Sequence, residues 1–110
     1  MGSLVICCFR PKPGKADELL EVIKTHIPTL RSQDLITDRP AYLMRAKDGT
    51  IIEVFEWKSE EHSHQAHENP VVLDMWKRFE ACCDYVTLRD LDETESPFPN
   101  FEPIDLSSPN

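Results

Sequence analysis

Nine residues, Thr50 to Lys58 (TIIEVFEWK), constrain this chain more than any other stretch. The turn signal Asp48-Gly49 stands directly before them, and the helix start Ser59-Glu60-Glu61 directly after. What lies between is therefore a β-strand. Alternation puts Ile51, Glu53, Phe55 and Trp57 on one face, and Ile52, Val54, Glu56 and Lys58 on the other. Apolar residues on both faces predict a central strand covered on both sides. Glu53, between Ile51 and Phe55, is a carboxylate set into an apolar face.

The flanking segments supply the rest of a sheet. Leu4–Phe9 (LVICCF) is an unbroken apolar run and reads as a buried strand, stopped by Arg10-Pro11-Lys12-Pro13-Gly14. From about Lys15, the residues Ala16, Leu19, Leu20, Ile23, Ile27 and Leu30 recur at steps of three and four, which makes a helix with one apolar stripe. Asp17, Glu18 and Glu21 lie early in it, and Lys24 and Arg31 late, as the helix dipole favours. Pro28 is expected to kink or loosen its last turn. His26 reads as a surface or C-terminal-turn histidine.

Pro40–Arg45 forms a second strand, joined to the central one as an antiparallel hairpin. Ser59 is an N-cap for a helix running to about Glu68. Asn69-Pro70 then ends that helix and starts another, whose stripe is Val72, Met75, Trp76, Phe79 and Cys82 or Cys83. Tyr85–Arg89 reads as the last strand.

The resulting order, β-α-β-β-α-α-β, predicts an α+β domain over residues 1–91. It is of the ferredoxin-like split βαβ kind, with a four-stranded antiparallel sheet. Helices on one face leave the other face bare. A chain of 110 residues has no spare layer to cover it, so the economical cover is a second copy, and a homodimer is expected.

Residues 92–110 form a separate acidic, proline-rich tail. Five acids fall there with no Lys or Arg, so much of the net charge of −8 belongs to it. Pro97, Pro99, Pro103 and Pro109 deny it a helical or strand period. Yet Phe98, Phe101, Ile104 and Leu106 recur through it. The tail is thus either disordered or an arm docked on the partner subunit.

Composition removes several function classes. No cluster of Lys and Arg interleaves with aromatics, which argues against nucleic-acid binding. No apolar run approaches a membrane span of roughly 18 residues, and no secretory leader pattern opens the chain. With Gly2, Gly14 and Gly49 as the three glycines, no phosphate-cradling loop can form. The adjacent pairs Cys7-Cys8 and Cys82-Cys83 point to opposite faces and read as buried thiols in a reducing cytosol, consistent with a cytoplasmic protein. His62, His64 and His67 fall close together, but neighbouring acids make a solvated face the better reading than a metal site for His62 and His64.

Several residues stand out for chemistry. Glu53 either pairs with Arg45 across the hairpin or acts as a pocket base. Trp57 and Trp76 suit a core or an interface, and equally suit stacking on a flat ligand, with Phe55 beside them. His67 sits at the Asn69-Pro70 break, where the chain turns back to the sheet. It is either a structural histidine or a base, since an ordinary histidine pKa of about 6.5 suits proton abstraction near neutrality.

Pro13-Gly14-Lys15, the hairpin into IIEVFEW, the exit Trp57-Lys58-Ser59 and the junction Ala66-His67-Glu68-Asn69-Pro70 together resemble the antibiotic-biosynthesis monooxygenase family. The match spans roughly residues 4–90. The resemblance implies a dimeric α+β barrel, in which two sheets pack face to face and each subunit keeps a small apolar cavity between sheet and helices. It further implies oxidation of a small aromatic or quinol-type molecule by O₂ without a cofactor. For such chemistry the residues themselves offer His67 and then Glu53 as base, and Phe55, Trp57 and Trp76 as walls. Members that degrade haem carry an Asn on strand 1. LVICCF has none, while Ala66 stands near the place of their helical Trp and Trp76 near that of their His, so haem degradation is not implied. A non-enzymatic small-molecule-binding dimer and a structural partner of another protein are the alternative classes.

Overall fold

The structure, a computed structural model, describes residues 1–106. The element order is β1 (Ser3–Pro11), α1 (Ala16–Ser32), β2 (Tyr42–Arg45), β3 (Ile51–Trp57), α2 (Glu60–Ala66), α3 (Pro70–Cys82) and β4 (Cys83–Tyr85). Two 3₁₀ turns, Leu88–Asp90 and Asp92–Glu95, then lead to β5 (Glu102–Pro103). The strands form one antiparallel sheet in the order β4-β1-β3-β2-β5, with β3 in the middle as its two apolar faces require.

Local chemistry explains most of the boundaries. Gly49 takes φ +94° and its N–H donates to Ala46 O at 3.0 Å, while Ala46 N–H donates to Thr50 O at 2.8 Å. This is a turn closed by a left-handed glycine, a common way to finish a short hairpin. Ser59 Oγ accepts from His62 N–H at the start of α2. Asn69 Oδ1 accepts from Val71 and Val72 N–H at 2.9 and 3.2 Å, with Pro70 at the first helical position of α3. Pro28 is exposed and does not end α1, which continues to Ser32.

The main core lies between the helices and one sheet face. Leu19, Ile23 and Leu30 of α1 and Val72, Met75 and Phe79 of α3 pack onto Phe9, Ile51, Phe55 and Trp57. The opposite face is half covered. Leu91, with Phe101 and Val86 beside it, closes over Cys8, Ala46 and Ile52. Beyond that cover, Leu4, Ile6 and Tyr42 stand 62%, 50% and 70% exposed. Ile6 and Tyr42 both pair with Val54, so they lie side by side across three strands.

Two expectations need correcting. The strand that follows α3 is Cys83–Tyr85, not Tyr85–Arg89. Thr87 N–H and Oγ–H both donate to Asp90 Oδ2, at 3.0 and 3.1 Å, and this local bonding folds Leu88–Asp90 into a 3₁₀ turn instead of a ladder. Among the described residues the sheet also has five strands rather than four, because the tail contributes β5. Arg45 pairs with Glu102 at 3.3 Å, and Ile104 N–H donates to Leu43 O at 2.9 Å. Over the described residues the tail lies along its own chain. It crosses the outer face at Phe101, passes the sheet edge as β5, and reaches the helix side at Ile104 and Leu106. Pro109 lies outside the described residues. Phe98 is 81% exposed and pins nothing within this chain.

Candidate functional site

β4 is three residues long and pairs with Phe9, Arg10 and Pro11 alone, so the first half of β1 has no ladder partner on that side. The space a longer strand would fill is left open. It forms a cavity of about 590 Å³ between β1 and the pair α2 and α3. Its apolar walls come from Phe9 on β1, Phe55 and Trp57 on β3, and Leu73, Trp76 and Phe79 on α3. Phe55 and Trp57 meet edge to face with centroids 5.1 Å apart.

His26 is the polar group inside it. Far from lying at the surface, this α1 side chain is 3% exposed. It is ringed by Phe9, Phe55 and Phe79, with centroids 6.0, 5.4 and 5.0 Å away. Its Nδ1 is hydrogen-bonded to Oε1 of Glu53, which is 2% exposed. A buried carboxylate and a buried imidazole each need a partner, and here each supplies the other's. The pairing of Glu53 with Arg45 does not occur; Arg45 reaches outward to Glu102.

The second ring nitrogen is the reactive one. Among the described residues, no side-chain N or O atom is buried without a hydrogen bond. Nε2 makes no such bond, so it keeps open surface, and His26 lines the cavity. Nδ1 is committed to the carboxyl group of Glu53, which leaves Nε2 as the ring nitrogen that can meet a ligand in the cavity.

The other sequence candidates divide between wall and rim. Phe55 and Trp57 are buried wall residues; Trp76 is half-buried. His67 is exposed at the mouth, where its ring lies 4.9 Å from that of Trp76. The cavity therefore brings together His67, Phe55, Trp57 and Trp76, while Glu53 stands behind it and touches it through His26. Of the neighbouring histidines, His62 Nδ1 lies 2.7 Å from Ser59 Oγ and serves the cap of α2, and His64 is exposed. No group of three metal-ligating side chains exists among the described residues.

Two further lining groups stay neutral near pH 7. Burial, and then the charge of Glu53, push the Cys7 thiol up to about 12. Burial, and then Cys83, raise the Tyr85 phenol to about 12. Cys7 is therefore a small apolar wall rather than a nucleophile, and Tyr85 at the rim is an O–H donor. No Lys or Arg lines the cavity, while Glu80 stands at its rim. The site suits a neutral, flat ligand better than an anion.

Comparison with known protein families, with curated proteins and with solved structures finds no match to this chain. No helix among the described residues is long and apolar enough to cross a membrane.

Proposed function

We propose that this chain is a homodimeric, cofactor-independent monooxygenase of the antibiotic-biosynthesis monooxygenase kind. It binds a small planar aromatic or quinol-type molecule in the cavity beside β1 and deprotonates it at His26. One observation carries the reading: a histidine held by a buried carboxylate presents its unbonded nitrogen to a cavity walled by aromatic rings. His67, the base expected from sequence, becomes a rim residue that holds Trp76.

The chemistry asks little of the protein. A ligand hydroxyl gives its proton to Nε2, and the electron pair stays on oxygen and spreads into the ring. The imidazolium is stabilised by Glu53 through Nδ1–H. The electron-rich anion passes one electron to O₂, and the two radicals combine to form a C–O bond. The resulting peroxide anion takes the proton back from the imidazolium, and the hydroperoxide, formed at a ring carbon that bears a hydrogen, loses water to leave a quinone carbonyl. Aromatic walls exclude solvent from the anion and hold the ring flat.

The homodimer rests on the exposed row Leu4, Ile6 and Tyr42, an apolar sheet surface that a second copy would cover in the face-to-face packing of a dimeric barrel. Sedimentation of the wild type at micromolar concentration should show a dimer, and Ile6→Lys should split it. A 12.7 kDa species alone in the wild type counts against the assembly.

Oxygen uptake by metal-free protein with a panel of hydroquinones and anthrols tests the activity. Wild-type uptake should exceed buffer autoxidation, fall at least a hundredfold in His26→Gln, and survive His67→Ala. Binding without uptake would leave a small-molecule-binding dimer instead. Full turnover in His26→Gln would remove the histidine from its role.

A further inference from the structure

The cavity beside β1 is not the only space that the buried pair reaches. A second groove of about 620 Å³ lies beyond Glu53. Ile27 of α1, Ala41 and Leu43 of the β2 segment, and Ile104 and Leu106 of the tail form its walls, with Glu53 at the bottom. Its rim carries the exposed Arg31, Asp38 and Asp105, so it opens to solvent. His26 does not line this groove, and Glu53 does not line the aromatic cavity. The other end of the pair is open in the same way as Nε2. Among the described residues Oε2 of Glu53 has no hydrogen-bond partner, and no side-chain oxygen there is sealed without one. Each end of the pair thus faces a different space, with the hydrogen bond between Nδ1 and Oε1 as the bridge.

We propose that His26 and Glu53 form a two-ended proton conduit, which connects the aromatic cavity to bulk water through the groove walled by the chain's own tail. The steps balance. Nε2 takes a proton from the cavity, and the Nδ1 proton passes to Oε1 of Glu53. A half-turn of the carboxyl group, a soft terminal torsion, carries that proton to the groove side, where water accepts it. The carboxylate is then restored and the imidazole is left as its Nε2–H tautomer. Run in reverse, the same path returns a proton to the cavity and resets the ring. No electrons move. The conduit's use in turnover rests on the reading of the aromatic cavity as a deprotonation site; the conduit itself does not.

The test needs no ligand. The His26 Nδ1–H resonance is followed by NMR in the full chain, and its exchange with water is measured. Ala41→Phe narrows the groove and should slow exchange at least tenfold. Leu73→Trp narrows the aromatic cavity and should leave it within about twofold. Leu106→Ala widens the groove and should speed it severalfold, which keeps the test alive if Ala41→Phe folds poorly. Equal slowing by both plugs, slowing by Leu73→Trp alone, or no response to either groove variant would each overturn the conduit. A second arm mixes protein and hydroquinone without oxygen, beside a pH indicator. Wild type should release about one proton per bound ligand. Glu53→Gln, whose amide oxygen still accepts from Nδ1–H, should bind the ligand and release none. Wild-type exchange as described, with no ligand bound or oxidised, would sink the activity and spare the conduit.

Discussion

Replacing His26 by alanine strands Glu53, and the consequence for stability can be worked from the burial of the pair. The carboxylate is 2% exposed and the imidazole 3%. Removing one member of a buried ion or hydrogen-bonded pair costs about 3–5 kcal/mol, because the other is left without its partner in a dry site. At about 4 °C per kcal/mol for a domain near 100 residues, His26→Ala should lower the Tm by about 12–20 °C. Glu53→Gln keeps an acceptor for Nδ1–H and should cost only about 1 kcal/mol. The double change His26→Leu/Glu53→Leu removes the polar problem altogether. Paired removals of this kind are often neutral or stabilising, so the double variant should recover most of what the single change loses. Urea unfolding followed by tryptophan fluorescence provides the cycle. A loss under about 1 kcal/mol for His26→Ala, or a double variant as weak as the sum of the singles, would refute the claim that the two groups depend on each other.

Three further outcomes follow from single features. Asn69→Ala removes the cap on Val71 and Val72 together with the Asn69 Nδ2–Gln33 bond of 3.1 Å, and urea unfolding should register a loss of about 1–2 kcal/mol. Leu91→Ala, at a residue 2% exposed, should cost about 2–5 kcal/mol, while Phe98→Ala, at one 81% exposed, should stay within about 0.5; equal effects would mean that the tail does not pack as described. Burial raises the Cys7 and Cys83 thiols from an ordinary 9.0 to about 12, with the charge of Glu53 adding to the first and Cys82 to the second. The folded chain then keeps protons that the unfolded chain releases. The stabilisation is whole below pH 9 and is lost as pH rises toward 12, so urea midpoints under reducing conditions should fall between pH 9 and 10.5, and fall less in Cys7→Ala/Cys83→Ala.

The framework was legible because its signals are local. A turn glycine, two polar caps and a period-two run each act within a few residues, and β3, α2 and α3 begin or end where those residues stand. What escaped prediction depends on contacts distant in sequence. The tail has no periodicity of its own; it becomes ordered because Leu91, Phe101, Ile104 and Leu106 each meet a different part of the sheet or α1. Recurring apolar residues among prolines announce that such a segment docks. They do not say on which surface, since this requires knowing which faces the helices leave bare.

The candidate site shows the same division more sharply. Both members of the central pair sat on apolar stripes. Glu53 shares a face with Ile51, Phe55 and Trp57, and His26 continues the spacing of Leu19, Ile23 and Leu30 at steps of four, three and four. That progression places His26 in the buried stripe more squarely than Ile27, which is half-buried. Two polar groups on two buried stripes of one small domain each need a partner, and the least costly solution is that they find each other. Sequence neighbours point elsewhere, Glu53 toward Arg45 across the hairpin and His26 toward the end of its helix. Burial is a property of the stripe, not of the neighbours. A histidine in register with buried leucines is evidence of a buried acceptor elsewhere in the chain, and the search for that acceptor leads to Glu53 and the cavity before it.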